Sequence, residues 1–320
     1  METIPGPVAG IDYPRNLQEF DRWFADEPAC RSYVFRIRWP EGYQCFRCGS
    51  KAPSWITSRG YLHCRACGGE GSITSGTVFE RTRKPLRAWF QAMWLLTSQK
   101  HGASALGLHR VLGLGSYQTA WTWLHKLRRA MIRPGRERLH GSVEVDETYV
   151  GGAASGGKRG RGTASKEIVV IAVEVLAPKG FGRIRMRRVP DVSGDSLVPL
   201  ICDVAEPGSE ILTDGWGGYN SLSGHSYTHV RTVLSESGDP AHVAMPGVHR
   251  IAALLKRWLL GIHQGAVSGK HLEYYLDEYT FRFNRRTSRS RGMLFYRLMQ
   301  QAVATPSTPY RQLVDGNHKI

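Results

Sequence analysis

The 320-residue chain has no long apolar run. A membrane-spanning helix needs about 18 or more consecutive apolar residues. The most apolar window here, Ile168 to Leu176, is far shorter and contains Glu174. The first ten residues, METIPGPVAG, carry neither a basic stretch nor an apolar one, so no secretory signal is expected and a cytoplasmic setting is. Thiols there usually stay reduced. There is no Walker pattern and no internal repeat. Acid is scarce: Asp plus Glu is 27 against 43 Lys plus Arg, a net charge of +16. Hydrophobic residues make up 41% and aromatics 10%, enough for folded cores rather than a disordered basic chain. A folded chain of that charge predicts a polyanionic partner, with nucleic acid ahead of an acidic membrane. Its length predicts two domains or three.

Cysteine is used sparingly and in one place. Four of the six form Cys45-x2-Cys48-x15-Cys64-x2-Cys67, with Gly49 and Gly68 after the second cysteine of each pair. This is zinc-ribbon spacing. Four thiolates fill a tetrahedral shell and leave no place for water, so the expected zinc is structural. Two disulfides are the other reading, which a reducing compartment disfavours. Cys30 and Cys202 stand alone and read as small core residues, and His63 beside Cys64 is not needed by a four-cysteine site.

Apolar periodicity predicts a short helix over residues 12–27, with Leu17, Phe20, Trp23 and Phe24 on one face. The ribbon is expected to follow to about Gly76. From Pro85 a second helical pattern places Leu86, Trp89, Phe90, Met93 and Trp94 together. A short helix over 104–112 ends at Gly113 and Gly115, and Ser116 is placed to cap the next. That helix would bury Ala120, Trp123, Leu124, Leu127 and Met131. Its other face is read as Gln118, Thr122, Lys126, Arg128 and Arg129. Helix, glycine turn and basic helix resemble helix-turn-helix geometry, so those five are candidate DNA contacts. An ordinary three-helix spacer with a solvated basic face is the alternative.

Beyond Pro134 and Gly135 the pattern turns to strands, near residues 143–149, 168–175, 183–189, 210–213 and 227–233. A helix begins at Ser193, and helices dominate from Val248 to about Val303. This order fits an RNase H-like α/β sheet. Gly151 to Gly162 is a glycine-rich loop whose Lys158, Arg159 and Arg161 are candidate phosphate contacts. Asp146 lies inside an apolar strand, and Asp214 lies where a strand runs into glycines. A carboxylate at the tip of a buried strand is costly unless paired or bound to a cation. Two on adjacent strands can share magnesium or manganese. A third ligand would come from a helix. His249 sits at the first turn of the pattern Val248, Ile251, Ala252, Leu255, Trp258 and Leu259, with Lys256 two turns further along the same face.

Seven stretches together make the chain similar to bacterial insertion-sequence transposases of the ISXO-like family. They are YVFRIRWPEGYQCFRC at 33–48, SGTVFERTRKPLRAWF at 75–90, YQTAWTWLHKLRRAM at 117–131, VEVDETYVGG at 143–152, TDGWGGY at 213–219, LLKRWLLGIHQG at 254–265 and YLDEYTFRFNRR at 275–286. The resemblance implies a zinc ribbon joined to a DDE transposase domain of RNase H-like fold. It places the first two catalytic aspartates on Asp146 and Asp214, and the third position on His249, seven residues before Lys256. Many relatives have Glu there. Imidazole suits manganese better than magnesium. Glu278 and Asn284, in a later helical motif, are alternative third ligands.

The expected organisation is α+β and multidomain. Residues 1–76 hold the first helix and zinc ribbon, 77–138 the helical DNA-binding region, 139–305 the transposase domain and 306–320 a tail. The implied activity is binding of terminal inverted repeats, then metal-dependent cleavage and strand transfer into target DNA. The implied setting is nucleoid-associated, as a homodimer or higher oligomer on paired ends. The rival is a catalytically impaired, domesticated DNA-binding protein, which the histidine at the third position motivates.

Overall fold

A computed structural model describes residues 6–51, 54–57, 61–151, 166–232, 241–264 and 267–316. The chain forms two compact units. One comprises Met1–Arg133 with Thr287–Ile320, and the other Pro134–Arg286.

The first unit opens with two helices where one was expected. Helix α1 (Leu17–Trp23) is capped by Asn16, which accepts from Glu19 N at 3.0 Å. Helix α2 (Glu27–Arg38) is capped by Asp26, which accepts from Ala29 N at 2.8 Å, and carries Pro28 in its first turn. Asp-x-Pro is a helix start, so the pattern read as continuous over 12–27 breaks there. Leu17, read as part of the buried face, is exposed. Strands β1 (Ser54–Ile56), β2 (Leu62–Cys64) and β3 (Glu70–Gly71) form a small antiparallel sheet in that order. Helix α3 (Leu86–Ser98) follows Pro85. Helix α4 (Ala105–Val111) is capped by Ser104 and α5 (Tyr117–Ala130) by Ser116, with Gly113 and Gly115 in the turn between. Trp89 of α3 stacks on Trp123 of α5 with ring centroids 3.9 Å apart.

The second unit is built on five strands: β4 (Ser142–Val150), β5 (Glu167–Val175), β6 (Phe181–Val189), β7 (Glu210–Asp214) and β8 (Thr228–Thr232). Their order is β6-β5-β4-β7-β8. The first three are antiparallel in sequence, and β4, β7 and β8 run parallel. This is the RNase H-like arrangement expected from the sequence. Helix α6 (Gly194–Val204) covers one face, where Leu197 and Ile201 meet Val143 and Val145 of β4. A 3-10 helix (Gly217–Gly224) follows β7. After a short α7 (Ala241–Ala244), helices α8 (Pro246–His263) and α9 (Gly269–Phe283) cover the other face. There Ile251, Leu255 and Leu276 pack on Ile171 and Val173 of β5. Because successive residues of β4 face opposite sides, both helix layers read it, and Val143, Glu144 and Val145 are all buried.

Glu174 is the charge in the most apolar window. It is 5% exposed. It accepts from Arg183 Nη2 at 2.6 Å, from Arg183 N at 2.7 Å and from His140 N at 3.2 Å. Burial raises its pKa, but the hydrogen bonds and charge of Arg183 outweigh that and hold the carboxyl below its ordinary range.

The chain then returns to the first unit with α10 (Arg291–Ala304) and α11 (Tyr310–Val314). Phe295 of α10 lies within 6.2 Å, ring to ring, of Phe20, Phe24, Tyr33, Phe90 and Trp94. The boundary drawn at residue 305 therefore moves to Arg286. An amphipathic helix does not say which core it serves, and α10 serves that of the first unit.

Candidate functional site

The ribbon cysteines come together. Their sulfurs all lie within 4.8 Å of one another, with Cys45 and Cys67 at 3.8 Å and Cys48 and Cys64 at 3.8 Å. Four sulfurs about 2.3 Å from one zinc would lie about 3.8 Å apart. The two knuckles repeat one geometry. Gly49 N donates to Cys45 O and Gly68 N to Cys64 O, at 2.8 and 2.9 Å. Both glycines have φ near +70°, a conformation that side chains disfavour. Arg47 N donates to Cys45 Sγ at 3.4 Å, and the Cys48 and Arg47 amides hold that thiol toward the thiolate form. All six cysteines are free of disulfides. Cys30 is fully buried, as a core residue would be.

The face of α5 read as basic is only partly outward. Gln118 is exposed, and Thr122 and Arg129 are half-buried. Lys126 donates to Ser307 Oγ at 3.0 Å, and burial lowers its pKa. Arg128 is 1% exposed, which removes it from any DNA face. It lies four residues after Leu124 and one after Leu127, inside the apolar stripe. Lys158, Arg159 and Arg161 lie outside the described residues.

In the second unit, β4 pairs with β7 through Ser142 with Glu210 and Glu144 with Leu212. Carried two residues on, that register sets Asp146 level with Asp214 on the same face of the sheet. Asp146 lies in the middle of β4 and Asp214 at the C-terminal end of β7. Asp214 Oδ1 accepts from Trp216 N at 3.0 Å, which fixes its carboxylate at the turn. Helix α8 brings His249 Nε2 to 4.0 Å from Asp146 Oδ2. Asp146, Glu147, Thr148, Val248, His249 and Lys256 line one cleft of about 370 Å³. Burial, then the charge of Glu147, with Asp214 and Glu144 adding to it, pushes Asp146 up to about 7.

Two carboxylates and an imidazole are a donor set for a divalent cation. Among the described residues, the four cysteines alone gather all their ligand atoms within 4.8 Å. A two-cation site does not need that closeness, because its ligands spread around ions about 3.5–4 Å apart.

The alternative third ligands are engaged elsewhere. Asn284 clamps β6, its Oδ1 accepting from Ile184 N at 2.8 Å and its Nδ2 donating to Ile184 O at 3.1 Å. Glu278 is buried in α9 at 1% exposure and is not among the cleft residues. Two acidic neighbours of Asp146 escaped the sequence reading. Glu144 is 3% exposed and accepts from Val248 N at 2.9 Å. Glu147 accepts from the buried Tyr219. Both glutamates sit in VEVDETYVGG beside Asp146, and the period of two along a strand was the signal for Glu144.

Residues 138–284 match the ISXO2-like transposase domain, and residues 25–70 match the transposase zinc-ribbon domain. The chain thus matches, in order, a transposase zinc ribbon and an ISXO2-like transposase domain. Asp146, Asp214, His249 and Lys256 all fall inside the transposase domain, and the four cysteines inside the ribbon. Two relatives agree. An uncharacterized protein in transposable element ISH50 of Halobacterium salinarum is 29% identical over 280 residues, covering 81% of this chain and 91% of the relative. An uncharacterized transposase-like protein of Haemophilus influenzae is 27% identical over 112 residues, 35% of this chain and 89% of the relative. No helix among the described residues is long and apolar enough to cross a membrane.

Proposed function

We propose that this transposase binds the terminal inverted repeats of an insertion sequence and catalyses divalent-metal-dependent DNA cleavage and strand transfer. The observation that carries the reading is the meeting of Asp146, level with Asp214 on the adjacent strand, with His249 from α8 in one cleft. Magnesium or manganese held there would activate a water or a 3′-hydroxyl and stabilise the leaving oxygen of a phosphodiester. Asp146 and Asp214 would hold the cations, and His249 would complete the set through a ring nitrogen. Lys256, at the cleft edge, pairs with a DNA phosphate. The ribbon is ordered by one structural zinc. Gln118, Thr122 and Arg129 on α5 face DNA, and Lys158, Arg159 and Arg161 are assigned to the phosphate backbone on charge alone. The active form is a dimer or higher oligomer on paired element ends.

The test is strand transfer with duplexes carrying the element's own ends, in magnesium and in manganese. Wild-type protein joins the ends to target DNA, and Asp146→Asn does not while still binding them. The rival, an impaired DNA-binding protein, gains support from the histidine at the position where the family resemblance implies a carboxylate in many members. It predicts end binding without joining in either metal.

A further inference from the structure

Helix α8 begins without a cap of its own. Its N-cap residue, Met245, offers no side-chain hydrogen bond, and Pro246 at the first position has no N–H. The first amides needing a partner are those of Gly247 and Val248. The second is taken by a carboxylate from the sheet. Glu144 Oε2 accepts from Val248 N at 2.9 Å. This is the task of an N-cap aspartate or serine, performed from a strand 104 residues earlier.

The fit is close. A Cβ on Gly247 would stand 2.6 Å from Glu144 Oε2 and 3.0 Å from Phe181 Cε1, so a larger residue there would push the carboxylate aside. A buried carboxylate is costly; burial raises the pKa of Glu144, and the Val248 amide at the positive end of the helix works against that rise. Glu144 precedes Asp146 by two residues, so the strand aims both side chains at the same helix. We infer that Glu144 is a positioning residue that sets the rotational phase of α8 and so holds His249 over Asp146. The inference rests on the reading of this cleft as the metal site. Each residue of a helix turns it by 100°. A start shifted by one residue would therefore swing His249 away from Asp146 and carry Lys256 with it.

The experiment uses the full chain with Glu144→Ala, Glu144→Gln, His249→Ala and the Glu144→Ala/His249→Ala pair. Manganese binding is measured by calorimetry without DNA, and cleavage of an end duplex is followed beside it. Circular dichroism and end binding serve as folding controls. Misplacing a ligand through its supporting contact typically costs about 10–100-fold in metal affinity. Glu144→Ala should weaken manganese by that amount. Glu144→Gln keeps an oxygen for the Val248 amide and should stay within about threefold of wild type. In the His249→Ala background the same alanine should add less than about twofold, since both act through one ligand. Unchanged manganese affinity in Glu144→Ala, or additive losses, overturns the inference. Glu144→Gln as damaging as Glu144→Ala overturns it too, because Glu144 would then be a ligand. If His249→Ala binds manganese normally, the reading of the cleft fails and the inference with it. If His249→Ala is weakened and Glu144→Ala is not, the positioning role alone fails. Should Glu144→Ala not fold, Gly247→Ala displaces the same carboxylate and is read the same way.

Discussion

The Tyr219 hydroxyl donates to Glu147 Oε2 at 2.9 Å. Glu147 follows Asp146, and Tyr219 comes five residues after Asp214, so this bond ties together the two segments that carry the aspartates. Tyr219 is fully buried, and burial, then the charge of Glu147, raises its pKa well above the ordinary range, so it remains a donor. Tyr219→Phe keeps the ring and removes the donor. Strand transfer should fall about tenfold, with a loss of about 1–2 kcal/mol in stability. Activity equal to wild type would show that the Asp146–Asp214 geometry does not depend on this bond.

Purified protein should contain about one equivalent of zinc, and Cys64→Ser should lose it. Cys30→Ser, outside the cluster, should keep it. Metal analysis decides, and full zinc occupancy in Cys64→Ser would rule out the four-cysteine site.

DNA binding should be steeply salt-dependent and independent of the cleft. Neutralising about six phosphates gives a log–log slope near −5. Asp214→Asn should bind an end duplex as wild type does. Gln118→Ala should weaken that binding with the melting temperature unchanged. Arg128→Ala should lower the melting temperature, because Arg128 is buried. A flat salt dependence would contradict this picture.

The Arg183–Glu174 pair predicts an acid-sensitive stability. Glu174 is held below its unfolded value, so its contribution is full above the usual carboxylate range and is lost as pH falls through the folded pKa. Arg183→Met leaves a buried carboxylate without its cation and should cost about 2–3 kcal/mol at pH 7. The difference from wild type should shrink as Glu174 protonates. Urea unfolding at pH 7 and pH 4 tests it, and a gap that widens at pH 4 would reverse the sign.

The zinc ribbon and the strand order were legible because each rests on local pattern: cysteine spacing and period-two burial. That His249 and Lys256 share a face of α8 was legible from helical spacing. What the sequence hid was contact across long separations. Asn284 looks like a ligand until its amide is seen holding Ile184 on β6. Arg128 looks like a DNA contact until the apolar stripe of α5 is seen to include it. Glu144 reads as one more charge in an acidic motif, and only the arrival of Gly247 and Val248 gives it a role.

The place of α10 sets an order of events during synthesis. Phe295 joins the rings of Phe20, Phe24 and Phe90, yet the ribosome makes it after the whole of residues 134–286. The second unit has all its strands before α10 is made. A nascent chain thus carries the sheet with Asp146 and Asp214 while the aromatic core of the first unit is still open. Assembly of the unit bearing the ribbon and α5 waits on a helix translated after the whole of the second unit.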